Sequence, residues 1–489
     1  MPSPRTGTAA LTGDAAAATL GSIMRKVQWR LVPVLLLMYT LAFLDRVNIG
    51  FAKTEYMADT GLTEAAYALG AGIFFVAYAF FEVPSNLLLH RVGAKFWLAR
   101  IMVTWGVISA LMAFAHNEWI FYGVRVLLGV AEAGLFPGVI LYITYWAVAE
   151  YRSRFTGLFM MGIPLAYVLG GPVSGAFLDL HGVLGLAGWQ WMFGLEGLLT
   201  VIFGVWVYFY LDSKPDDAKW LNAEEKKVLN SAIALDNEER AAAGRGHHEP
   251  WYKPLTNPRL VYIALCSFSV QICMYGFTFY LPSQVQALTG QKVGFLVGVI
   301  TAIPWVVALV ITRYTTLFSD KTGQRRWTAV FAYSLAVIGL AGSVLFKAEP
   351  VVAIAFLCLV AGSLVSVQPI MWTFPASILT GAAAAAGIGL INSLGNLGGF
   401  FAPNIRAAVL NAYGFVSPPK TGTLDAAQLA VNAHAQDMAT YTIAGVGVIG
   451  MVLFACITFV GYQGKIEPVG RKLKVTPSSI STSSEKALA

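Results

Sequence analysis

From residue 30 to residue 462 the chain is a succession of apolar runs, most about 20 residues or longer, separated by short charged or turn-rich breaks. A run of that length matches the hydrocarbon thickness of a bilayer. Twelve are read, near 30–51, 66–89, 97–115, 119–146, 155–178, 191–211, 259–283, 293–318, 327–346, 350–372, 385–411 and 439–462. Backbone polar groups find no water at that depth, so a spanning segment is a helix or part of a closed barrel. The runs lack the period-two alternation of barrel strands. The expectation is an all-α membrane protein of twelve transmembrane helices. Composition agrees, with 57% hydrophobic and 12% charged residues.

The net charge of +7 follows membrane topology and gives no reason to expect nucleic acid. Cations gather before the first run (Arg25, Lys26, Arg30), in alternate breaks (Arg91 and Lys95; Arg152 and Arg154; Lys321, Arg325 and Arg326) and after the last run (Lys465, Arg471, Lys472, Lys474). The positive-inside rule makes those segments cytoplasmic, with both termini inside and the acidic 53–64 connection outside. Residues 1–24 read as a disordered cytoplasmic tail rather than a cleaved signal, and residues 466–489 as a second tail. Cys266, Cys273, Cys358 and Cys456 all fall in apolar runs and read as small packing residues rather than a disulfide or metal set.

The longest polar break, 212–258, divides the runs into six plus six, giving bundles over 25–211 and 259–465. At this length it is too short to bury a catalytic core and reads as a solvated linker with short surface helices. His90-Arg91-Val92-Gly93-Ala94-Lys95-Phe96-Trp97, after the second run, aligns with Asp320-Lys321-Thr322-Gly323-Gln324-Arg325-Arg326-Trp327, after the eighth. Equivalent loops in both halves imply parallel six-helix repeats.

Ionisable groups at membrane depth cost a few kcal/mol each and face a bundle interior or a watered cavity. Asp45 and Arg46 lie in the first run, and Arg125 and Glu132 in the fourth. The latter are seven apart, hence on one helix face and roughly 10 Å apart along the axis. Asp45 and Arg125 are expected at similar depth and to pair in one state, with Arg46 facing Glu132 or a substrate. An arginine that moves between an acid and a substrate carboxylate would release that acid to take a proton. The bland alternative is a structural ion pair joining the two helices, a poor source of stability compared with apolar packing. Glu82, before Pro84, reads as gating or structural, and Glu196 as structural.

From Pro350 to Ile405 there is no charged residue, so recognition in the second half must rest on hydrogen bonds. Gln368 and Trp372 share a helix face, as do Asn392 and Asn396, either as interhelical glue or as substrate contacts. Arg125, Tyr78, Gln271 and Tyr275 are further substrate-binding candidates. Gly171 with Gly175, and Gly395 with Gly399, read as close-packing sites. No phosphate-cradling loop, metal-spaced His/Cys cluster or Ser/His/Asp arrangement is found in the loops, so neither enzyme nor cofactor is expected.

The paired loops resemble the signature of the major facilitator superfamily, as do Arg125-x-x-x-Gly129 and Gly171-Pro172-x-x-Gly175. The resemblance implies a gate formed by Arg91, Gly93, Lys95, Asp320, Lys321, Gly323 and Arg325. His90 stands where the superfamily usually has Asp, so a strong ion pair is not expected in the first loop. Phe43-Leu44-Asp45-Arg46-Val47-Asn48-Ile49-Gly50-Phe51-Ala52 and Glu132-Ala133-Gly134-Leu135-Phe136-Pro137-Gly138 are similar to signatures of the anion:cation symporter family. That likeness implies protonation at Asp45 and Glu132, anion binding at Arg46, and substrate contacts at Trp372 and Asn392.

Asp59-Thr60-Gly61-Leu62, Ala66 to Phe75, Lys292-Val293-Gly294-Phe295 and Thr301 to Trp305 are similar to bacterial L-rhamnonate transporters, and Trp189-Gln190-Trp191 is shared with tartrate and 4-hydroxyphenylacetate permeases. The expected function is proton-coupled import of a small organic anion, a sugar acid such as L-rhamnonate, across the bacterial inner membrane by a monomer; the alternative cargo is an aromatic carboxylate of the 4-hydroxyphenylacetate type or tartrate, and the rival function is efflux or antiport. A pocket rich in Gln, Asn and Tyr leans toward a hydroxylated acid. The 412–437 loop receives no functional reading.

Overall fold

The computed structural model describes residues 13–242, 257–378, 382–417 and 424–460. Its first half comprises α1 (Gly13–Thr60), α2 (Glu64–Val92), α3 (Ala94–Leu111), α4 (Glu118–Glu132), α5 (Leu135–Thr144), α6 (Ala149–Met160), α7 (Gly162–Leu178) and α8 (Gly188–Tyr210). A surface helix, α9 (Ala223–Ala242), follows. The second half comprises α10 (Pro258–Thr278), α11 (Leu281–Thr289), α12 (Phe295–Thr322), α13 (Arg325–Leu345), α14 (Pro350–Met371), α15 (Thr373–Ile378), α16 (Ala382–Asn396), α17 (Gly398–Ala412) and α18 (Ala426–Ala455).

Eleven stretches among the described residues are long and apolar enough to cross a membrane. The segment expected at 385–411 is the remaining one, and it is built as α16 and α17, two helices of 15 residues joined at Leu397. Leu397 keeps right-handed helical dihedrals (φ −59°, ψ −21°). At 1.5 Å per residue each piece is about 22 Å long, and the two together exceed a bilayer core.

Element boundaries follow local chemistry. The Thr63 hydroxyl accepts from Ala66 N at 3.1 Å and starts α2, and Asn117 Oδ1 accepts from Ile120 N at 2.9 Å and starts α4. Such caps satisfy amides that a helix start leaves without partners. Asp425 and Gln428, in the loop that carried no functional reading, form a capping box that starts α18 well before residue 439. Gln190 caps the start of α8 and also donates to Ala113 O at 2.9 Å, which accounts for the polar residue of Trp189-Gln190-Trp191.

Three expectations are corrected. α1 begins at Gly13, so helix occupies half of the span expected to be a disordered tail over 1–24. Residues 1–12 and 466–489 lie outside the described residues. The first helix does not end near 51: α1 runs to Thr60, so most of the 53–64 connection is helix, and buried Lys53 there pairs with buried Glu64 at 2.6 Å. Of the four cysteines, Cys266 and Cys273 are buried, whereas Cys456 is exposed beyond α18 and is no packing residue.

The linker docks on the first half. Lys26 pairs with Glu225 at 2.9 Å, Arg152 with Asp236 at 2.5 Å, and the Trp146 and Trp220 rings stack at 5.6 Å. The end of the bundle that carries α9 is termed the linker end, and the end that carries the α1–α2 turn the far end. At the far end the halves are pressed together. α7 and α12 approach backbone to backbone, so a Cβ on Gly171 would meet Gly298 C at 3.0 Å and one on Gly175 would meet Phe295 N at 2.9 Å. The four-residue glycine spacing therefore serves packing across the halves. Thr54 donates to Gln286 at 3.1 Å, and Asp179 Oδ2 accepts from Phe295 N at 2.9 Å, so Asp179 caps a helix of the opposite half.

Candidate functional site

The site begins with two helical neighbours that point apart, since successive residues on a helix are about 100° apart. Arg46 turns toward α4, and its Nε donates to Glu132 Oε1 at 2.7 Å while Nη2 makes an ion pair with the same oxygen. The guanidinium also lies 4.8 Å from the Phe43 ring centre and 4.9 Å from that of Tyr78. Glu132 is the last residue of α4, where carbonyl dipoles disfavour a carboxylate, so it depends on Arg46. The helix stops because Gly134 adopts φ +90°, and a Cβ there would collide with Ser85. Glu132 Oε2 is buried without a hydrogen-bond partner.

Asp45 faces the other way, into α3. It accepts from Trp105 Nε1 at 2.5 Å, Ser109 Oγ at 2.8 Å and Asn48 Nδ2 at 3.1 Å. The expected pairing of Asp45 with Arg125 is absent from this conformation. Arg125 donates instead to Gly70 O at 3.1 Å and Ala71 O at 3.0 Å on α2. Two carbonyls answer its guanidinium, and the residue does not line the central cavity described next.

That cavity, of about 70 Å³, lies between the two halves. Arg46, Tyr78, Gln271, Tyr275, Gln368, Trp372, Asn392 and Asn396 all line it, so eight of the nine residues expected to bind substrate come together. On the α10–α18 side the amides form a chain, Gln368 Nε2 to Gln271 Oε1 at 3.1 Å and Gln271 Nε2 to Asn396 Oδ1 at 3.3 Å. Tyr39 and Tyr167 line it as well, and Tyr167 stacks on Trp305 of α12 at 4.0 Å. Those two tyrosines carry no sequence signal that separates them from other aromatic residues on spanning helices.

Toward the linker end the halves meet at Glu82 on α2, which accepts from Asn392 Nδ2 at 3.1 Å and Ser393 Oγ at 3.3 Å on α16. The cavity therefore sits between a broad far-end seal and a narrow acid–amide contact. Ordinary ligand pockets span roughly 300–1,000 Å³, so a substrate enters only when this space widens.

Glu196, read as structural from sequence, is buried in the interior of α8. Its Oε2 accepts from Asn48 Nδ2 at 2.8 Å and its Oε1 from Ser174 Oγ at 2.8 Å. Asn48 thus bridges Asp45 and Glu196, and neither acid forms an ion pair among the described residues. An Asn three residues after Asp45, and an acid inside the 191–211 run, were the available signals.

The loop residues are placed unequally. In the second loop Gly323 adopts φ +68°, Arg325 pairs with Asp320, and Arg325 Nη1 donates to Ser319 Oγ at 3.2 Å. Lys321 closes the last turn of α12, where a cation suits the helix dipole. In the first loop Gly93 adopts φ +98°, Arg91 is exposed, and Lys95 lies 5.3 Å from the Tyr208 ring centre. No ion pair of Arg91 or Lys95 occurs among the described residues.

The profile of the Major Facilitator Superfamily matches residues 35–403. The chain belongs to that superfamily. It is 46% identical over 389 residues to the inner membrane transport protein RhmT of Escherichia coli (strain K12), covering 80% of this chain and 89% of RhmT. A protein of Agrobacterium vitis provisionally named as a tartrate transporter is 45% identical over 385 residues, covering 78% of this chain and 87% of that protein. Among solved structures, a bacterial homolog of the human lysosomal transporter Spinster, in an inward-facing and unoccupied conformation, superposes with a TM-score of 0.75 at 17% identity, over 90% of this chain and 99% of that one. The fold is that of the superfamily, and this member is a multi-pass membrane transporter, not an enzyme.

Proposed function

We propose that this transporter imports a small organic anion together with protons, the anion being a sugar acid of the L-rhamnonate kind. The observation that carries the reading is the Arg46–Glu132 pair on the wall of the cavity shared by both halves. Arginine is the carboxylate receptor best suited to a bidentate grip, and here its partner acid has one oxygen with no hydrogen bond. An incoming carboxylate draws Arg46 away from Glu132. Left without its cation in a dry site, Glu132 takes a proton, so anion and proton travel together. Asp45 and Glu196, bridged by Asn48 and without an ion pair, hold a second proton between them.

The amide chain of Gln271, Gln368 and Asn396, with the tyrosine hydroxyls of the cavity, supplies donors and acceptors for a hydroxylated chain. The similarity to RhmT and to the Agrobacterium vitis protein supports an organic-acid substrate. In this reading the basic linker end is cytoplasmic, both termini lie inside, the far end faces the periplasm, and the protein acts as a monomer. Alternating access exchanges the far-end seal for a linker-end seal. The seal forms where Glu82 meets Asn392 and where the two signature loops approach the opposite half.

The test is uptake of labelled L-rhamnonate into proteoliposomes under an inward proton gradient, beside tartrate, 4-hydroxyphenylacetate and an Arg46→Gln variant. Gradient-dependent accumulation of L-rhamnonate, lost in the variant, supports the reading. Accumulation of another acid keeps the mechanism and replaces the substrate. Export driven by the same gradient would establish antiport in place of import.

A further inference from the structure

A second cavity, of about 350 Å³, opens at the far end within the second half, lined from α11, α13, α14, α17 and α18. Its volume lies in the range of ordinary ligand pockets. Arg406 of α17 reaches this cavity although it is only 1% exposed. The other buried basic side chains among the described residues are answered: Arg46 by Glu132, Lys53 by Glu64, Arg325 by Asp320, and Arg125 by two carbonyls.

Arg406 has no carboxylate partner. Its Nη1 donates to Thr440 Oγ1 at 3.4 Å and its Nη2 to Gln436 Oε1 at 3.2 Å, both long contacts to neutral acceptors. Its Nε has no acceptor, and the nearby Tyr280 hydroxyl has no partner. At the rim Lys347 and Asp437 neutralise each other. The Glu64 carboxylate, which also acts on Arg406, is held by Lys53, so the cavity wall keeps a net positive charge backed by a buried Nε donor without an acceptor, an arrangement that costs free energy unless something anionic answers it.

We propose that Arg406, with Tyr280, Gln284, Gln436 and Thr440, forms a second carboxylate-binding site at the far end, separate from the central cavity. Nε and one Nη of a guanidinium suit the two oxygens of a carboxylate. Release from Thr440 or Gln436 leaves only a neutral acceptor behind. The site also touches the moving parts. The Tyr280 ring centre is 4.2 Å from the Arg406 guanidinium and 4.7 Å from Lys53 Nζ of α1. Tyr280 sits at the break between α10 and α11. A carboxylate held here waits beside the contact between α1 and α11 that must part when the far end opens. The inference goes beyond the reading of the central cavity and stands without it, because it names a charge class and not the transported acid.

Leu429, exposed on the cavity wall, is replaced by cysteine in the full-length protein, with Cys358 and Cys456 changed to alanine, in lipid nanodiscs. The label rates of an anionic sulfonatoethyl and a cationic trimethylammonioethyl thiosulfonate are compared, with sodium acetate or sodium chloride as competitor. Acetate is expected to slow the anionic reagent more than chloride at equal concentration. Arg406→Gln is expected to lower the anionic-to-cationic rate ratio by about tenfold. An unchanged ratio in Arg406→Gln overturns the proposal, and equal slowing by both salts overturns the carboxylate assignment. If Arg406→Gln does not fold, the competition with Arg406 intact decides.

Discussion

Asp179 ends α7 yet caps α12, and its replacement by alanine shifts the balance between the two transport states. A carboxylate at a helix C-terminus is disfavoured by the dipole, so Asp179 is poorly placed for its own helix. Its bond to Phe295 N at 2.9 Å, across the two halves, gives the return. Loss of an N-cap acceptor costs about 1 kcal/mol, and a carboxylate at an exposed helix start contributes about 0.3–1 kcal/mol. Both are carried by the same carboxylate on an exposed residue and overlap, so about 1 kcal/mol is the net effect. The bond exists only while the far end is closed. Alanine therefore raises the far-open to far-closed ratio about fivefold, at 1.4 kcal/mol per factor of ten. Asparagine, which keeps an acceptor and loses the charge, falls between. Spin labels at Val183 and Lys292, exposed on opposite halves, report the ratio as the weight of the longer distance in pulsed dipolar spectra of nanodisc samples. Equal weights in the alanine variant and the parent protein would refute the reasoning.

Three further substitutions separate the parts of the site. Arg46→Lys keeps the charge and loses the bidentate fork, so L-rhamnonate uptake falls by about tenfold or more; uptake within about twofold of the parent would show that charge alone suffices. Glu196→Gln removes a protonatable group and preserves shape, so counterflow exchange persists while gradient-driven accumulation falls; equal loss of both would assign Glu196 a purely structural role. Gln271→Leu breaks the amide chain at its centre, and with about 0.5–1.5 kcal/mol per hydrogen bond the KM for uptake rises several-fold with little change in the maximal rate. At the linker, hydrogen bonds from Lys26 and the Asn222 amide hold Glu225 below the ordinary carboxylate range. A depressed carboxylate adds stability above its unfolded pKa and loses it as pH falls through the folded value. Docking of α9 therefore loosens on acidification below about pH 4, read as faster amide exchange over 223–242.

The spans were legible because bilayer depth admits few alternatives, and the Arg46–Glu132 contact because two charges in facing helices must find each other. The cavity residues Gln368, Trp372, Asn392 and Asn396 were legible by elimination, since Pro350 to Ile405 offers only uncharged groups for recognition. Asp45 was not, because its neighbour Arg46 drew attention to α4 while a helix turns adjacent residues apart. Its partners, Trp105 and Ser109, look like ordinary members of an apolar run. Arg406 lies one residue past the charge-free stretch, and only packing reveals that its hydrogen bonds go to Thr440 and Gln436 and not to a carboxylate. Glu82 reads from sequence as gating or structural, and its partners Asn392 and Ser393 lie more than 300 residues away in sequence. Long-range pairing of that kind leaves no local pattern. The helix break at Gly134 and the capping box at Asp425 are local chemistry of a kind readable in a sequence, here seen once the helix ends were fixed.

The exchange of Arg46 between Glu132 and a substrate carboxylate is tested most directly by counting protons. Purified protein in weak buffer near neutral pH is mixed with L-rhamnonate while a pH indicator is followed, for the parent and for Glu132→Gln. Binding that takes up about one proton per protein in the parent, and less in Glu132→Gln, is the predicted result. Binding of the acid with no proton uptake, or with equal uptake in both proteins, would contradict the coupling assigned to the pair.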